Sequence, residues 1–244
     1  MEQEKEYSRT KTFKYLDILM VVFILVLVLS NIASSAKIID WGISLGPIRL
    51  SFDAGTVLFP ISYIIGDVLT EVYGFKRSRR IIWIGFGALI FSALVFRLVQ
   101  VLPGEVTWQA QVGQENYNQI LGSMSSGAII AASLAGYFAG SFSNAILMSL
   151  MKILTKGKLL WSRTISSTIV GEAVDTFTFI LVATALGVFP WSLFWSLTVT
   201  NYIFKVGIEA SVTPITYWVV NSLKRVEDVD IFDEKTSFSP FKFN

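Results

Sequence analysis

Residues 17–36 read DILMVVFILVLVLSNIASSA, a run whose one charge, Asp17, stands at its first position. A helix needs about 20 mainly apolar residues to cross roughly 30 Å of hydrocarbon, and this run has that length. Outward from it, similar stretches lie near residues 55–74, 81–102, 124–151, 165–188 and 192–223. The fourth and sixth are longer than a bilayer requires, which implies tilt, a kink or an interfacial extension. Pro214 removes one helical hydrogen bond from the sixth and predicts a bend there. The first run also fits a secretory signal, with Ser34, Ser35 and Ala36 at the cleavage position. Its full spanning length, and the odd number of helices that cleavage would leave, favour a retained span.

Basic residues give the orientation, because cytoplasmic loops carry the lysine and arginine excess. Lys5, Arg9, Lys11 and Lys14 precede the first run, and Lys76, Arg77, Arg79 and Arg80 separate the second from the third. Lys152, Lys156, Lys158 and Arg163 separate the fourth from the fifth, and Lys224, Arg225, Lys235 and Lys242 follow the sixth. The alternate loops hold Lys37 and Arg49, and the loop between Pro103 and Gly122 has no basic residue. One arrangement satisfies every loop. The fold class is an all-α integral membrane protein, a bundle of six transmembrane helices with N and C termini cytoplasmic. It divides into a cytoplasmic N-terminal segment (1–16), a transmembrane domain (17–223) and a cytoplasmic C-terminal tail (224–244) that folds against the cytoplasmic face.

Composition agrees and narrows the chemistry. Of 244 residues 53% are hydrophobic and 16% charged, with a mean hydropathy of +0.59, too apolar for an ordinary soluble domain. The net charge of +2 gives no basis for nucleic-acid binding. Neither cysteine nor histidine occurs. Disulfides, thiol nucleophiles and thiolate or imidazole metal sites are excluded, and proton transfer would fall to carboxylates or lysine. No enzyme activity, metal or cofactor is expected.

The charges inside the apolar runs carry the functional argument, since a charged side chain at the bilayer centre costs about 2.5 kcal/mol or more. Asp67 and Glu71 lie one helical turn apart in the second run, Glu172 and Asp175 in the fifth, and Lys205 and Glu209 in the sixth, where they could pair along their own helix. Counting inward from Lys76 and Arg163 puts Asp67 and Glu172 at a similar depth, roughly 13 Å from the cytoplasmic side. Two walls of one site would look like this. The competing reading makes the acids structural, paired with Arg97, Lys205 or the loop arginines. Ala132, Gly136 and Gly140 form a small-residue ridge in the fourth run, expected to pack tightly within the chain.

Several of these motifs together resemble one family. Phe59-Pro60-Ile61-Ser62-Tyr63, then Gly66-Asp67, Thr70-Glu71, Tyr73-Gly74, Arg80 and Trp83, resembles the queuosine precursor transporter family, also called the vitamin uptake transporter family. So do Arg163-Thr164-Ile165-Ser166-Ser167 with Gly171-Glu172 and Asp175-Thr176, and Lys205, Glu209, Thr213 and Pro214 with the terminal Ser239-Pro240-Phe241. The resemblance implies a multi-pass importer in a bacterial-type plasma membrane. Its substrate would be 7-cyano- or 7-aminomethyl-7-deazaguanine, salvaged into tRNA modification. A guanine-like edge presents two neighbouring N–H donors, which an ionised carboxylate accepts in a bidentate manner. The candidate substrate-binding residues are Asp67, Glu71, Glu172, Asp175, Tyr63, Trp83, Lys205 and Glu209. Trp161, Phe177 and Phe179 are further aromatic candidates. The expected partners are the small-molecule substrate and the lipid bilayer, with no nucleic acid. A homo-oligomer or an energising subunit stays open, and the second would make the chain the substrate-binding subunit of a multi-component uptake transporter.

Overall fold

Many large apolar side chains face outward in this molecule, and several charged ones are buried. A computed structural model describes residues 13–45 and 48–242; Lys5, Arg9 and Lys11 lie outside them. Phe91, Leu94, Leu98 and Trp218 are each more than half exposed, whereas Glu71, Arg79 and Arg163 are buried. Water would not tolerate that distribution at this scale, and hydrocarbon does.

The chain is built from helices α1 (Leu16–Ala36), α2 (Phe59–Tyr73), α3 (Phe75–Val101), α4 (Val106–Gln111), α5 (Gly113–Leu121), α6 (Gly127–Leu154), α7 (Leu160–Ala185) and α8 (Phe194–Glu227). Four stretches are long and apolar enough to cross a membrane: α1, α3, residues Gly113–Leu154 including α6, and α7. This is a multi-pass membrane protein. Helix α2 has 15 residues, short of a full crossing. Helix α8 runs unbroken through Pro214 for 34 residues, but Asn201, Lys205 and Glu209 interrupt its apolar character.

Between α1 and α2 the chain forms an antiparallel hairpin, β1 (Ile38–Leu45) and β2 (Ile48–Asp53), pairing Ile38 with Asp53 and Leu45 with Ile48. The helical reading of the sequence passed over it. A signal was present: Ile39, Trp41, Ile43 and Leu45 alternate with polar or small residues, as do Ile48, Leu50 and Phe52, around a Gly46-Pro47 dipeptide. The basic run Lys76–Arg80 likewise belongs to the first turns of α3 and not to a loop. Only Gly74 separates α2 from α3. Its φ of +81° suits glycine, and an added Cβ would come within 2.8 Å of Ile231.

Helices α6 and α7 pack so closely that glycine is required. A Cβ on Gly140 would lie 2.5 Å from Asp175 Cβ, and one on Gly136 would lie 2.9 Å from Asp175 Oδ1. The reverse approach is equally tight, with a Cβ on Gly171 meeting Asn144 Cβ at 2.8 Å. The small-residue ridge thus serves packing within the chain, as expected, and it sets Asp175 and Asn144 in place.

The polar tail folds back across the basic ends of the helices. Glu227 accepts from the backbone N–H of Lys14 and Tyr15, at 3.0 and 2.7 Å, and from Tyr73 Oη at 2.9 Å. The end of the last helix thereby caps the start of the first. Asp233 accepts from Phe75 N at 2.8 Å, satisfying a donor at the start of α3. Arg79 donates to the carbonyls of Ser237 and Ser239, and Trp83 Nε1 to that of Pro240.

Candidate functional site

Two layers of charge occupy the interior. The first, at the basic helix ends, centres on Glu71, fully buried on the last turn of α2. Arg163 of α7 grips it in a bidentate pair, with Nε and Nη2 each 2.7 Å from a carboxylate oxygen. Such a fork-to-fork geometry is the strong class of ion pair. Lys224 of α8 adds a bond of 2.5 Å to Oε1. Lys152 of α6 lies 3.5 Å from that oxygen and donates to the Glu71 carbonyl at 2.7 Å. From the tail, Asp230 receives both lysines, at 2.6 Å from Lys152 and 2.7 Å from Lys224. Burial alone would raise the Asp230 carboxyl, but the two ammonium groups outweigh it and hold it below the usual carboxylate range. Three cations and two carboxylates therefore join α2, α6, α7, α8 and the tail.

The second layer has the opposite balance. Asp67, one turn before Glu71, is buried and accepts from Asn144 Nδ2 of α6 at 3.1 Å. Glu209 of α8 is buried, bonded to the Thr168 hydroxyl, and within electrostatic reach of Asp67, Glu172 and Lys205. Lys205 reaches across to α7 and not down its own helix to Glu209 for its ion pairs. Its Nζ lies 3.1 Å from Glu172 Oε2 and is bonded to Asp175. Among the described residues this layer holds four acids and one lysine. Burying such an excess of negative charge is costly unless protons or a cationic ligand balance it.

The structure thus brings together Asp67, Glu172, Asp175, Lys205 and Glu209, and separates Glu71 from them as the hub of the ion network. Trp83 sits elsewhere. Its ring packs against Phe86, Phe138, Phe142 and Phe241, and with its indole bond to Pro240 it holds the tail. Tyr63's side chain lies outside the described residues. Phe177 packs edge-on to Phe194 and lines an apolar groove of about 360 Å³ between α7 and α8, with Val174, Thr198 and Tyr202. Trp161 is more than half exposed. Two partners escaped the sequence reading, Asn144 and Thr168. Uncharged side chains in helices carry no periodic mark, although an asparagine within an apolar run is itself a signal.

Glu209 has little free space beside it. Beside Glu209 the void enclosed with Ile165, Thr168, Val206, Ala210 and Thr213 measures about 10 Å³, far below a substrate-sized pocket of some 300 Å³ or more.

Comparison with known proteins gives the family. The family described as "Putative vitamin uptake transporter" matches residues 53–219, which include Glu71 and all four acids of the second layer. The chain belongs to the vitamin uptake transporter family. This is a transporter family and not an enzyme family. This family member is similar to the "Probable queuosine precursor transporter" of Bacillus subtilis (strain 168), 28% identical over 168 residues, covering 69% of this chain and 71% of that one. It is similar also to the protein of the same description from Haemophilus influenzae, 26% identical over 169 residues, covering 68% and 67%. No solved structure matches the chain.

Proposed function

We propose that this transporter imports queuosine precursors, 7-cyano- or 7-aminomethyl-7-deazaguanine, across a bacterial-type plasma membrane. Six crossings with both termini cytoplasmic complete the reading: α2 with its preceding 3-10 turn (Ala54–Val57) and the polar α8 join the four longer spans. The observation that carries the proposal is the second charged layer. Carboxylates from α2, α7 and α8 meet inside a membrane protein, where a group that only filled space would be apolar. The names of the relatives support the substrate class, and its chemistry suits the residues: Asp67 or Glu172 would accept the paired N–H donors of the guanine-like edge.

The first layer then has a separate part. Glu71, Arg163, Lys152 and Lys224, covered by the tail, hold the basic end of the bundle shut in this conformation. Release on that side requires the network to part, as alternating access demands.

The test is uptake of labelled 7-cyano- and 7-aminomethyl-7-deazaguanine by cells unable to synthesise either. Asp67→Asn and Glu172→Gln are expected to lower uptake by about tenfold or more at matched membrane expression, the loss of a charge-assisted bidentate bond. Full activity of both variants would make these acids structural.

A further inference from the structure

A primary ammonium seated between two carboxylates is the arrangement a cationic ligand of this site would itself adopt. Here the ammonium belongs to the protein. Lys205 projects from α8 onto Glu172 and Asp175 of α7. Its side chain is 17% exposed and that of Asp175 is 23% exposed, whereas Asp67 and Glu209 are buried. The seat therefore lies at the accessible margin of the layer, with the other two acids deeper. The lysine and its acids stand on different helices, and a flexible four-carbon stem lets the ammonium leave without backbone movement.

We propose that Lys205 is a specificity-determining residue. Its tethered ammonium fills the two-carboxylate seat that the ammonium arm of a cationic substrate would take, and so penalises a cation relative to a neutral analogue with the same ring. The inference rests on reading the site as that of a 7-deazaguanine carrier, because the two precursors differ at one position by such an arm, aminomethyl against nitrile. Two ammonium groups at contact distance repel, while a nitrile brings no charge to the seat. Methionine in place of Lys205 keeps much of the stem and takes the ammonium away from both carboxylates, and an aminomethyl arm then restores the missing positive charge.

The measurement is equilibrium binding of the two bases to the purified full chain, read as the ratio of their Kd values. Lys205→Met is expected to move the ratio about tenfold or more toward the aminomethyl base, and Lys205→Arg, which keeps the charge, to leave it within about twofold. Because Lys205→Met exposes two facing acids, Lys205→Met/Asp175→Asn is measured beside it. That double variant retains Glu172 as the seat and must shift the ratio in the same direction, so a folding failure of the single variant does not decide the matter. Equal weakening of both bases at constant ratio, or a shift toward the nitrile, overturns the proposal and leaves Lys205 as packing. A native chain that binds neither base overturns the substrate reading itself, and the inference falls with it.

Discussion

Gly140→Ala is expected to destabilise the protein by about 1–3 kcal/mol, the usual cost of forcing an extra carbon into a filled interface, and Gly140→Val by more. The added Cβ would sit 2.5 Å from Asp175 Cβ, 3.0 Å from Asp175 Cα and 3.1 Å from the Gly171 carbonyl. Two of these are backbone atoms, which no rotamer change can move away. Helices α6 and α7 must separate, and Asp175 is carried off Lys205 with them. Gly87 on α3 supplies the control, because a Cβ there meets nothing within 4 Å. Gly87→Ala should be neutral or should stabilise by roughly 0.5–1 kcal/mol through helix propensity. Thermal unfolding in one detergent, followed by loss of the monodisperse peak, checks both. Equal behaviour of the two variants would contradict the packing described for α6 and α7.

Glu71→Gln should be still more damaging, at about 3–5 kcal/mol, the range for removing one partner from a buried ion pair. Lys152 and Lys224 would keep Asp230, while Arg163 would lose the carboxylate it grips. Removing Lys224 instead is expected to cost less. Its side chain is 18% exposed, and Glu71 keeps the bidentate bond to Arg163. The same unfolding measurement gives the order, with Glu71→Gln below Lys224→Met. The reverse order would mean that the network does not hinge on Glu71.

The two variants also mark what the sequence could and could not convey. Helix positions were readable because span length and apolar content are local: 17–36 became Leu16–Ala36, and 124–151 became Gly127–Leu154. Pairing of charges was not local. Asp67 and Glu71 are adjacent turns of one helix with the same chemistry, yet Arg163 meets one and Asn144 the other. Which acid falls opposite which partner depends on the rotation of α2 against α6 and α7, which no pattern within α2 records. Lys205 shows the same limit. Four residues from Glu209, it reads as an intrahelical partner, but the close approach of α7 offers it two carboxylates instead. The role of the tail was legible only as polarity after the last span. Its carbonyls bond Arg79 and Trp83, more than 150 positions earlier in the chain, a contact no local pattern records.

The central claim is that this chain by itself carries a 7-deazaguanine through a site built on the Asp67 layer. Purified protein reconstituted alone in liposomes, supplied outside with labelled 7-cyano- or 7-aminomethyl-7-deazaguanine, tests it most directly. The account predicts time-dependent accumulation of at least one base, inhibited by excess unlabelled base and lost in Asp67→Asn. Liposomes containing the native chain that take up no more than empty ones, with the protein shown folded and inserted, would contradict it.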